Sequence, residues 1–253
     1  MKITVGVGLL LLAACKTPAA PPPIGAVPTL AALDQGVAPG PLAIDRPRAD
    51  AEAELRFRAS PDDPEAAWRW ARALYLRSLG APADEQAELA ARCEQKLGSI
   101  LERTPKAEAH YYRALCWGAR AQARPLEGLP LVRRMLSAAE RAAALDPSCE
   151  HGGPERLLGG LYLRAPAWPV SIGDPEQAVE HLEKAVALDP RWPENHLLLA
   201  EALWADERPL EARQALELAE ATLQGLGLPG WRPIFAAQLE ALKVKWAQPK
   251  QIR

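Results

Sequence analysis

One stretch of the chain brings cysteine, histidine and glycine together, Cys149-Glu150-His151-Gly152-Gly153. A His-Gly-Gly run suits an oxyanion loop, but that chemistry also needs a nucleophile on a Gly-x-Ser-x-Gly turn, and the sequence has none. Cys149 and His151 are zinc-ligand types, yet no second pair follows at zinc-site spacing. His110, His181 and His196 are scattered, and no phosphate loop or dinucleotide fingerprint occurs. His181 and Glu180 fall on the polar side of a helical pattern and read as solvated. The expectation is a non-enzyme without metal or cofactor. Binding chemistry is better represented. Arg113, Arg120 and Arg164 could pair with a carboxylate, and Trp117, Trp168 and Trp204 could supply apolar area.

The elements that must position these residues are helices. From Asp174 the pattern is a cap, a first-turn proline at Pro175, then Ala178, Val179, Leu182, Ala185 and Val186 as one apolar stripe. Asp189-Pro190 ends that helix, because the residue before a proline is pushed out of the α region. Pro193 starts the next, with Leu199, Ala200 and Leu203 on its packing face. The same grammar recurs. Thr104-Pro105, Asp146-Pro147, Asp189-Pro190 and Leu228-Pro229 each follow a helical pattern, their prolines 42, 43 and 39 residues apart. Helix pairs are expected from Pro64 through Trp68, Ala71 and Tyr75 with 83–103, then over 107–124 with 129–145, 154–164 with 175–188, and 193–206 with 210–226. Residues 51–59 read as a helix ahead of the first pair. From Pro233 a last helix carries Phe235, Leu239, Leu242 and Trp246, with Glu240, Lys243 and Lys245 opposite, as the cap of a stack requires.

Helix pairs repeated along a chain cannot bury both sides alone, so they predict a stack. The phase of Leu199, Ala200, Leu203, Ala212, Leu216 and Ala219 resembles a tetratricopeptide repeat, with spacings longer than the usual ~34 residues. The expected fold is all-α, a tetratricopeptide-like solenoid of helical hairpins with a C-terminal capping helix. In such solenoids the first helix of each pair lines the concave face. With Tyr112 as phase marker, that reading turns His110, Arg113, Trp117 and Arg120 into a groove. The third pair adds Leu157, Leu161 and Arg164, and the fourth adds Glu194, Leu197, Glu201 and Trp204. The alternative places Trp117 and Trp204 in the core and the arginines in solvent. Trp168, in a loop between Pro166 and Pro169, either plugs the turn or borders a ligand opening, and the stiffness of the loop favours packing.

A formal net charge of −2 over 253 residues and a pI of about 6.1 offer no basic stripe for nucleic acid. At the amino end, Lys2 precedes an apolar run too short to span a bilayer. Leu12-Ala13-Ala14-Cys15 then resembles a bacterial lipobox. The resemblance implies a signal peptide over 1–14, acyl chains on Cys15, and anchoring by lipid. The other reading is a plain secretory signal with a chance cysteine. Lys16, where retention signals often carry aspartate, implies the outer membrane, facing the periplasm. Residues 15–48, with Pro21-Pro22-Pro23, Pro28, Pro39 and Pro41, read as a tether, and 49–253 as the solenoid. Cys93, Cys116 and Cys149 then remain, which implies one disulfide and one free thiol, with the pair open.

Leu161-Tyr162-Leu163-Arg164-Ala165-Pro166, Trp168-Pro169, Ser171-Ile172-Gly173-Asp174-Pro175 and the Ala-x-x-x-Leu-x-x-Ala that follows resemble the TatT family. These are tetratricopeptide lipoproteins associated with tripartite ATP-independent periplasmic (TRAP) transporters. The likeness covers roughly 60–245 in architecture, with its specific motif within 151–204. It implies a trimer, a periplasmic solute-binding protein as partner, and a small ligand held or passed. Scaffolding in outer-membrane or pilus assembly is the alternative.

Overall fold

The computed structural model describes residues 46–247, apart from 80, 102 and 228–231, with the side chains of 46–50 and 99 also left aside. The leader, Cys15, nearly all of the proline-rich stretch and the Leu228-Pro229 turn lie outside the described residues. The elements in order are α1 (Arg46–Ala59), α2 (Pro64–Ser78), α3 (Ala83–Leu101), α4 (Ala107–Ala123), a 3-10 turn (Pro125–Glu127), α5 (Gly128–Leu145), α6 (Cys149–Arg164), α7 (Pro175–Leu188), α8 (Pro193–Ala205), α9 (Pro209–Gly225) and α10 (Arg232–Ala247). The fold is all-α, a solenoid of hairpins closed by α10. The expected pairs are all present, and α1 begins more than a turn before the expected 51.

Local chemistry explains the boundaries. Asp63 caps α2 by accepting from Glu65 N at 2.9 Å, and Asp174 caps α7 by accepting from Glu176 N at 3.0 Å and Gln177 N at 3.2 Å. Prolines open α2, α7, α8 and α9, where the missing N–H costs nothing. Both Asp-Pro turns use one device. Asp146 Oδ1 accepts from Ser148 N at 2.9 Å, and Asp189 Oδ1 accepts from Arg191 N at 3.0 Å.

Packing fixes the curvature. Successive helices pair as hairpins, and the first helices also pack on one another, α2 on α4, α4 on α6, α6 on α8 and α8 on α10. Among the described residues the second helices pack on one another less closely, with Arg134 of α5 reaching Glu94 of α3 at 3.4 Å. The stack therefore curves with α2, α4, α6 and α8 inside. The amino-terminal core is aromatic, with Trp68, Trp70, Tyr111 and Tyr112 around Leu74, Cys93 and Leu97. The carboxy-terminal core is largely alanine and leucine from α7, α8 and α9, with Phe235, Leu239 and Leu242 of α10 over its end. A smaller cluster of Trp117, Leu131, Met135 and Leu161 sits between α4, α5 and α6. Gly159 brings α6 against α7, since a Cβ there would overlap Leu182 Cγ and stand 3.0 Å from Ala178 O.

Candidate functional site

The polar chemistry concentrates where the two cores meet, on the inner helices. α6 opens with three consecutive left-handed residues, Glu150, His151 and Gly152, at φ of 50°, 63° and 76°. Its regular helix then runs from the expected Pro154. Left-handed φ in two non-glycine residues costs about 1–3 kcal/mol each and persists only where the surroundings over-determine it. Arg156, one turn on and buried, supplies much of that. Its Nη1 donates to His151 O at 3.0 Å and Asn195 Oδ1 at 2.9 Å. Its Nη2 donates to Glu150 O at 3.0 Å and Tyr111 Oη at 3.1 Å, and its Nε pairs with Glu194 at 3.1 Å. Asn195, fully buried, donates through Nδ2 to the carbonyls of His151, Ala185 and Asp189 at 2.9–3.0 Å. One guanidinium and one amide thus tie α4, α6, α7 and α8 together.

The electrostatics follow from burial. Burial opposes charge on Arg156, but Tyr111, Glu194 and Glu150 outweigh it and keep the guanidinium protonated. Burial raises the Tyr75 and Tyr111 hydroxyls far above the ordinary tyrosine range, and Glu194 adds to the effect, so both stay neutral. Arg72, buried in α2, pairs with Glu150 at 3.8 Å and extends the polar seam to the first pair. At its outer edge His151 Nδ1 meets Asp189 Oδ2 at 2.8 Å, and its ring stacks on Trp192 at 3.9 Å. Trp192 in turn packs edge-on against Phe235 of α10 at 5.3 Å. This is a preformed, hydrogen-bonded polar network, largely buried, with Glu194 half-buried at its edge near Tyr75.

The groove residues read from the sequence divide. On α4, His110, Arg113, Trp117 and Arg120 turn toward the outer helices, which corrects their assignment to the concave face. Arg113 lies over Trp117 at 4.7 Å and reaches Gly98 of α3. Trp117 is buried against α5, and Arg120 pairs with Glu94 of α3 at 3.2 Å and with Glu127 at 2.6 Å. The phase was rotated because Tyr112, its marker, packs sideways on Trp68 and Tyr75 of α2. Leu157 is half-buried between two cores, and Leu161 and Leu197 are buried. Arg164 pairs with Glu201 at 3.0 Å across α6 and α8, whereas Glu194, two turns earlier on α8, pairs with Arg156. Trp204 stacks on Trp246 of α10 at 4.6 Å. Trp168 is solvent-exposed, so the packing reading of its loop does not hold.

His181 is also corrected. It is half-buried, with Nδ1 2.7 Å from Glu155 Oε2 and its ring stacked on Tyr162, because α6 packs across that side of α7. The open disulfide resolves as Cys93–Cys116, joining α3 to α4 across 6.4 Å between Cα atoms. Among the described residues Cys149 is the free thiol, and burial raises its pKa far above that of a reactive cysteine. Arg72, Tyr75, Tyr111, Glu150, Arg156 and Asn195 were missed in the sequence. Asn195 did leave a signal, an amide among apolar positions at the start of a helix.

Residues 172–225, spanning α7, α8 and α9, match the family model described as tetratricopeptide repeat. The chain carries that repeat. Among solved structures, the crystal structure of MamA is 18% identical, covers 72% of this chain and 90% of its own, and superposes with a TM-score of 0.47. No curated protein matches the sequence. In tetratricopeptide terms α2, α4, α6 and α8 are the first helices of successive units, and the Arg156 seam joins the matched repeat to the units before it.

Proposed function

We propose that this protein is a membrane-tethered binding scaffold whose inner helical face receives a second protein. The observation that carries the reading is the inner layer itself, α2, α4, α6 and α8 packed in series and pinned by Arg156 and Asn195. A preformed surface loses little ordering entropy on binding, and repeats of this kind are general protein-interaction scaffolds. The finer reading follows the TatT resemblance. The partner is a periplasmic solute-binding protein in TRAP-type uptake, the anchor is acylated Cys15 in the outer membrane, and the assembly is a trimer that holds a small ligand. The motif from Leu161 to Pro175 and the lipobox support it.

The test is co-purification of the full lipoprotein from gently solubilised envelopes, with partners identified by mass spectrometry. Recovery of a periplasmic solute-binding protein is the expected result. Recovery of an outer-membrane or pilus assembly factor, with no such binding protein, overturns the uptake reading.

A further inference from the structure

The helices alternate in direction, so the solenoid has two rims. Glu54 of α1 pairs with Arg92 of α3 at 3.5 Å, and Asp62 beyond α1 pairs with Arg103 beyond α3 at 2.6 Å, which sets α1 and α3 parallel. One rim therefore holds the start of α1 and the turns inside each hairpin, after α2, α4, α6 and α8. The other holds the Asp-Pro turns between hairpins.

Among the described residues, large exposed apolar side chains at the helix turns are unequally divided between the rims. On the first, Leu126 is 99% exposed, Trp168 85%, Leu210 74%, Val170 65% and Leu129 49%. They stand on three successive hairpin turns. Among the described residues of the second rim, Leu145 and Leu188 reach 42% and 39%, with Leu55 at 65% about one turn inside the end of α1. The turn that carries Trp168 is built to present it. Gly173 N donates to Pro166 O at 2.8 Å, Val170 N to Ala167 O at 3.1 Å, and Asp174 N to Tyr162 O at 2.9 Å. A Cβ at Gly173 would overlap Ala165 O, so the turn closes only with glycine there. The nine residues 165–173 carry no charge. Elsewhere on this rim several charges are paired, Arg124 with Asp84, Arg120 with Glu127 and Arg208 with Glu211, each at 2.6 Å.

We infer that this rim lies against the lipid bilayer that holds the acyl chains of Cys15. The inference rests on the anchoring reading above. What selects a bilayer over other occupants is where the chain enters the fold. The tether ends at Arg46, on the same rim as Leu126, Trp168 and Leu210, and the thirty residues 16–45 reach at most about 100 Å when extended. Tryptophan and leucine on uncharged turns suit the headgroup boundary, where an indole buries its ring and keeps its N–H wet. A lipid tether raises the local concentration of these weak contacts at the surface, so a few apolar tips suffice. Docked this way, the solenoid stands with its inner face opening sideways rather than toward the membrane.

The test uses the full acylated protein in phosphatidylcholine vesicles with and without brominated acyl chains, its acylation checked by mass spectrometry. Brominated lipid is expected to quench part of the tryptophan emission. Trp168→Phe should lose most of that quenching, and Leu126→Ser/Leu210→Ser should weaken it without changing flotation or the melting temperature. Salt should leave it unchanged, because the contact is apolar. If Cys15 is acylated and the emission ignores brominated lipid, the rim does not meet the bilayer and a protein must cover it. If Cys15 carries no acyl chain, both this inference and the anchoring reading fail.

Discussion

The two halves of the solenoid reach the same architecture by different packing. Through α7, α8 and α9 the inward positions are small or aliphatic, Ala178, Leu182, Ala200, Leu203, Ala212 and Ala219, and the helices close at repeat spacing. Through α2, α3 and α4 the same positions hold Trp68, Trp70, Tyr111 and Tyr112, and a disulfide ties α3 to α4. Buried alanines such as Ala66, Ala67, Ala71 and Ala109 are present there too, so the aromatic rings and the disulfide are what set the first half apart. Hairpin stacking is therefore a property of the apolar period, which both halves keep, whereas only residues 172–225 match the repeat model. Between the halves sits a polar joint, the left-handed turn at Glu150–Gly152 and the Arg156 cluster.

That contrast can be broken at several points. Trp117→Ala, in the small core between α4, α5 and α6, should cost about 3–5 kcal/mol in chemical denaturation as a large buried ring is lost. A groove residue would lose partner binding with its stability intact. Reducing or replacing the Cys93–Cys116 disulfide, with a sequence separation of 23, should cost about 2–4 kcal/mol. Limited proteolysis should then cut first before residue 124, leaving α7 to α9 protected. Gly159→Ala tests the other half. The added methyl would meet Leu182 and the Ala178 carbonyl, and a loss of about 1–3 kcal/mol by thermal melting is expected from the overpacking.

The smallest effect is titratable. Burial, then Arg141 and Arg113, hold the His110 imidazole below its ordinary value of 6.5, so the folded state resists a proton that the unfolded state accepts. Stability contributed above pH 6.5 is lost as the pH falls below it. His110→Gln should flatten the decline in denaturation midpoint as the pH falls below about 6.5. An unchanged decline would assign it to other groups.

Much of the fold was legible because its boundaries are local. Asp63, Asp174 and the first-turn prolines mark helix starts, and Asp146 and Asp189 mark turns, whatever surrounds them. The polar joint was legible only in part. His151-Gly152-Gly153 stands out in the sequence, but as a run suited to an oxyanion loop, and Arg156 reads as a surface arginine until α4 and α8 are folded around it. The rotation of α4 was hidden for the same reason. Tyr112 faces its neighbour α2 rather than the groove, and only tertiary packing decides between those sides.

The central claim is that Arg156 joins the two halves into one inner face. Native-state hydrogen exchange on the full chain and on Arg156→Met tests it most directly. Removing the guanidinium takes the Arg156 donor from Glu194, Asn195 Oδ1 and the Glu150 carbonyl and leaves His151 O to Asn195 alone, and protection should fall together at the Glu150–Gly152 turn, in α4 around Tyr111 and at the start of α8. Loss confined to α6, or no loss anywhere, would contradict the account.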